Sequence, residues 1–141
     1  MKSGKFWLAI LVSGVVMNIV DFVFQGMVME SMYYSKHADV FTMTASPIWY
    51  ILLDFVSVFV LGWVYDKVSG SFSAGIKGGA MFGLYAGILV SFPTWIGLHL
   101  FLKGFSYKYA WFSTIYGVIW GVVAATIIAA LYKRGAPAAT T

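Results

Sequence analysis

The chain is predicted to be an all-α membrane protein, with four transmembrane helices in an antiparallel bundle and both termini cytoplasmic. Three observations predict this. First, 61% of the residues are hydrophobic, only 10% are charged and the mean hydropathy is +0.86. A soluble domain carries about a quarter charged residues. Second, four apolar runs, at about 6–29, 48–65, 78–102 and 110–132, each approach the roughly 20 residues that cross about 30 Å of hydrocarbon. Third, Lys and Arg fall unequally on alternate sides of those runs. Lys2, Lys5, Lys67, Lys77, Lys133 and Arg134 lie on one side and Lys36, Lys103 and Lys108 on the other, so the first side is the cytoplasmic one.

These runs leave room for a single domain, 1–134, with a short polar tail at 135–141 expected to be disordered. The chain has no cysteine, which excludes disulfides, thiolate nucleophiles and cysteine-held iron–sulfur clusters. A net charge of +4, scattered along the sequence, does not read as a nucleic-acid surface.

The first span follows Lys2 and Lys5 without a small-x-small cleavage site, so it is read as retained rather than as a signal peptide. Within it Gly14, Asn18, Asp21 and Gln25 are four, three and four residues apart. That spacing puts them on one helical face, which must look into protein because the other faces are aliphatic and aromatic.

Glu30 to Ser46 is read as an interfacial loop with room for one short turn, and Pro47 stands where a helix can begin. The second span carries Asp54 and Ser57, which are near one another on its surface, and Asp66 and Lys67 close it.

In the third span Gly75, Gly79, Gly83 and Gly87 recur at every fourth position and form a bare stripe. In lipid, close backbone approach is a main source of helix association, so the stripe is read as a packing seam. It fits either the fourth span or a second copy of the chain. Pro93 removes one backbone hydrogen bond and is expected to kink this span, with Thr94, Gly97 and His99 beyond it. The fourth span repeats the device with Gly117, Gly121 and Ala125, and is the natural partner of the third.

Depth follows from the rise of about 1.5 Å per residue. Asp21 and Asp54 come out within roughly 2 Å of the same level, about 3 to 5 Å outward of the centre. Asn18 and Ser91 are near the centre, Thr94 and Tyr116 about 6 to 7 Å outward, and Gln25, Ser113 and His99 about 11 to 14 Å outward. A charged aspartate at the centre of a helix costs about 2.5 to 3.5 kcal/mol on insertion scales, so two at one level need partners or a proton. No Lys or Arg lies at that depth.

Asn18, Asp21, Gln25, Asp54, Ser57, Thr94, His99 and Tyr116 are therefore the candidate polar pocket. It can serve as a proton-sensitive or cation-attracting site, or as interhelical glue worth about 0.6 kcal/mol per contact.

Glu30, His37 and Asp39 are metal-binding types without ligand spacing, and no metal or other cofactor is expected. No phosphate loop, nucleophile elbow or His-Glu-x-x-His helix occurs, so the reading leans away from an enzyme.

At Val16-Met-Asn-Ile-Val-Asp-Phe-Val-Phe-Gln-Gly, Phe82-Gly-Leu-Tyr-Ala-Gly and Tyr116-Gly-Val-Ile-Trp-Gly-Val-Val-Ala-Ala the chain resembles a group of small bacterial four-span membrane proteins with no assigned activity. The resemblance implies a bacterial inner-membrane location and a four-helix topology.

The leading expectation is a non-enzymatic membrane component. It would act by helix association in the lipid bilayer, as a homo-oligomer or as an accessory subunit with a membrane-protein partner. The alternative is a small proton-linked carrier or channel using Asp21 and Asp54.

Overall fold

The computed structural model describes residues 3–41 and 45–132. Lys2, Lys133 and Arg134, used above for orientation, and the tail at 135–141 lie outside the described residues.

Among those residues the fold is built of helices. Helix α1 (Gly4–Val23) runs into a π-helical turn (Phe24–Met29) and a last α-helical turn (Glu30–Met32), followed by a 3-10 turn (Tyr34–Lys36). Helix α2 spans Pro47–Val68, α3 Ile76–Phe101 and α4 Tyr107–Tyr132. All four are long and apolar enough to cross a membrane.

Local chemistry sets the ends. Ser3 caps α1, its hydroxyl accepting from the Phe6 amide at 3.4 Å. Pro47 opens α2, where its missing N–H costs nothing. Gly75 has φ +74° immediately before α3, and Gly104 has φ +89° in the turn between α3 and α4. Both conformations favour glycine, which has no Cβ to clash.

Several helices outrun the spans read from hydropathy: α2 continues past 65 to Val68, and α4 starts at Tyr107 rather than 110. Hydropathy marks the apolar limits, whereas backbone hydrogen bonding continues beyond them. The helix of α3 also continues through Pro93 to Phe101.

Helix α4 is the hub, packed along α3 and also against α1 and α2, while α2 and α3 barely meet. The α3–α4 seam is backbone against backbone. A methyl group added at Gly83 would strike the Gly121 carbonyl oxygen, and one at Gly87 would lie 2.8 Å from the Val118 Cα. One at Gly79 would strike the Ala129 side chain and lie 2.7 Å from the Ala125 carbonyl oxygen. Gly117 faces Ser91, which continues the α3 stripe one turn beyond Gly87.

Gly75 does not belong to that seam. It precedes the helix, and a Cβ there would meet nothing within 4 Å. The expected ladder of four glycines is a ladder of three, extended at its far end by Ser91.

Two further glycines serve α1 and α2: Gly14 receives the Phe55 ring and Gly62 the Ile10 side chain. One buried cluster gathers Phe6, Met17, Val58, Tyr65, Ile128 and Tyr132; a second, at the other end, gathers Met29, Tyr34, Phe105, Tyr109 and Ala110. They are called here the Tyr132 end and the Tyr34 end.

Outward, large apolar side chains dominate, with Leu89 75% and Phe101 87% exposed. Such a surface is an aggregation hazard in water and the ordinary state in hydrocarbon. On α2, every residue from Pro47 to Leu53 is exposed, and Asp54 is the first buried one.

Candidate functional site

The polar face of α1 meets α2 and α4 at Asp21. One carboxylate oxygen, Oδ1, accepts the hydroxyl of Tyr116, and the other, Oδ2, accepts the indole N–H of Trp120 at 3.0 Å. Tyr116 and Trp120 are one turn apart on α4, so a single face of that helix supplies both donors. Phe24 covers the site from the start of the π-helical turn, its ring stacked on Tyr116 with centroids 3.9 Å apart.

From α2, Asp54 reaches the same place. It is buried, at 4% exposure, and its carboxyl lies close enough to that of Asp21 for the two to interact. Among the described residues the two acids interact with each other, a phenol and an indole, and none of these is a cation. Two carboxyls can hydrogen-bond to one another only by sharing a proton, since carboxylates only accept.

A second polar layer lies one turn further toward the Tyr34 end. Gln25 accepts the hydroxyl of Tyr34 through Oε1, and that hydroxyl is 2.9 Å from the hydroxyl of Tyr109 on α4. Around it the aromatic rings close ranks: Tyr33 stacks on Tyr109 at 4.6 Å and His37 on Tyr33 at 4.1 Å.

Other residues expected in the pocket do not reach the acids. Asn18 donates to the Gly14 carbonyl of its own helix at 2.9 Å. Thr94 is exposed and donates to Val90, one turn back, at 2.6 Å. His99 is engaged at Nδ1 with the Phe105 carbonyl at 2.7 Å, tying the end of α3 to the following turn. Ser57 is half-buried one turn from Asp54. The Asn18 amide, the Thr94 hydroxyl and the His99 imidazole are satisfied locally, which rise and span midpoints do not reveal. The core of the site is Asp21, Asp54 and Tyr116, with Gln25 in the layer beside it.

Sequence reading missed Trp120, Tyr34 and Tyr109. Trp120 had a usable signal, lying four residues after Tyr116 and so on the same face. Tyr109 reads as an interfacial aromatic, and nothing local joins it to Tyr34. Among the described residues, no group of three or more His, Asp or Glu is placed to hold a metal ion.

No family model, curated protein or solved structure matches the chain. Fold and site therefore define the class: an all-helical protein with four helices long and apolar enough to cross a membrane, as in an integral membrane protein, with an aspartate pair held between α1, α2 and α4.

Proposed function

We propose that the protein is a small proton-linked carrier or channel of the bacterial inner membrane, working through the Asp21–Asp54 pair. Its helices alternate in direction across the bilayer, with both termini cytoplasmic and the Tyr34 end outward. The observation that carries this reading is the meeting of two carboxyls, from separate helices, without a cationic partner among the described residues. An acid in a membrane span is expensive, and two in contact are tenable when they share a proton. A shared proton that can be lost and regained is the elementary step of proton coupling. The donors on Asp21 hold one carboxyl in place, while Asp54 sits where the exposed first third of α2 ends.

Assembly with a second copy or within a larger membrane complex is the other reading. The α3–α4 glycines are filled within the chain, so association would use different surfaces. The segment Pro47–Leu53, exposed on every side, favours it.

The test is infrared spectroscopy of the reconstituted protein, coupled to a proton-flux assay in the same vesicles. A protonated-carboxyl band near neutral pH, lost in Asp54→Asn together with flux, supports the proton reading. Absence of that band, with flux the same in Asp21→Asn, Asp54→Asn and wild type, rejects it.

A further inference from the structure

We infer that Glu30 is the outer proton-entry group for the aspartate pair, brought onto the Asp21 face by the π-helical turn. This inference rests on the proton-linked reading above.

In a regular helix, residues advance by about 100°, so position 30 would lie roughly 180° from position 21. Glu30 would then face away from Asp21. The turn Phe24–Met29 changes this. The Glu30 amide bonds the Gln25 carbonyl, five residues back, so that Glu30 rises above Gln25 much as Gln25 rises above Asp21. One extra residue in the turn has rotated the following chain onto the polar face. Such π-turns are frequent at functional sites.

The side chain supplies an independent observation. Glu30 is half-buried, and its Oε2 is a buried oxygen with no hydrogen-bond partner among the described residues. An acid oxygen left open next to a polar column is a proton acceptor.

The titratable groups that interact with Tyr34 and Tyr116 are acids and phenols. Tyr34 interacts electrostatically with both Glu30 and Asp21, and Tyr109, from α4, shares a hydrogen bond with Tyr34. Tyr116 interacts in turn with Asp21, Asp54 and Tyr34. His37, in the following turn, has Nδ1 2.9 Å from the Tyr33 carbonyl oxygen. Glu30 is thus the outermost acid of a series that ends at Asp54. A proton arriving from outer water adds to the half-exposed Glu30 carboxylate and leaves for the Asp21–Asp54 carboxyls, with no net change in Glu30.

The experiment follows proton uptake after an outer pH jump, with an internal dye, in vesicles containing the full chain in one orientation. Glu30→Gln is expected to slow uptake by at least about tenfold while leaving the aspartate-pair infrared band in place. Glu30→Asp, which keeps the acid on a shorter arm, is expected to restore part of the rate. In the unaltered protein, a hydrophobic carbodiimide is expected to modify Glu30 faster as the outer pH falls, which needs no variant to fold.

Wild-type uptake in Glu30→Gln, with uptake still lost in Asp54→Asn, overturns this inference and leaves the aspartate reading standing. No carbodiimide modification of Glu30 at any pH also overturns it. Wild-type uptake in Asp54→Asn removes the reading beneath it as well.

Discussion

Gly83 and Gly121 pack so closely that a methyl group added to Gly121 would lie 2.8 Å from the Gly83 carbonyl oxygen, and one added to Gly83 would strike the oxygen of Gly121. The obstruction is backbone, which cannot swing aside as a side chain can. Carbonyl oxygens this near an opposing helix also permit weak Cα–H···O contacts along the seam.

Gly83→Ala is accordingly expected to destabilise the fold by about 1 to 3 kcal/mol, the usual range for overpacking. Gly97 is the matched control on the same helix, since a Cβ there meets nothing within 4 Å. Gly97→Ala is expected to be neutral or stabilising by up to about 1 kcal/mol, because alanine favours helix over glycine. Reversible unfolding in mixed micelles measures both. Equal stability of the two variants would mean the α3–α4 seam is not close-packed.

Tyr116 and Trp120 are the two α4 donors to Asp21. Tyr116→Phe keeps the ring that stacks on Phe24 and deletes only the hydroxyl. The expected loss is about 1.5 to 3 kcal/mol, the range for a hydrogen bond to an ionised group. In a double-mutant cycle with Asp21→Ala, the two losses should sum to more than the double variant shows, because both remove the same bond. Strict additivity would mean the hydroxyl and the carboxyl act independently.

His99 faces a carbonyl oxygen, that of Phe105, at 2.7 Å through Nδ1. A carbonyl can only accept, so Nδ1 must carry the hydrogen. Nitrogen NMR of the labelled protein is expected to show the Nδ1-protonated form. The opposite neutral tautomer would break the tie between α3 and its following turn. His99→Ala should cost about 1 kcal/mol, a typical net hydrogen-bond contribution, without altering the aspartate-pair infrared band.

Much of this architecture was legible from residue order. The four helices follow from long apolar runs, and the partnership of α3 with α4 from small residues at four-residue spacing. The common level of Asp21 and Asp54 came from helical rise alone, and the two side chains do meet. Gly75 shows the limit of such reasoning: spacing puts it on the stripe, but its positive φ takes it out of the helix. Thr94 and His99 show another, since a polar group at the right depth can be satisfied by its own helix or by the next turn.

The sequence by itself determined an apolar four-helix chain and an aspartate in each of its first two spans, because hydropathy and helical period are properties of neighbouring residues. Only the tertiary structure decided which donors hold Asp21, that the glycine seam is filled from within, and that a π-helical turn precedes Glu30. Those outcomes depend on contacts between residues up to 99 positions apart, as for Asp21 and Trp120, and on one helical turn closing over five residues instead of four.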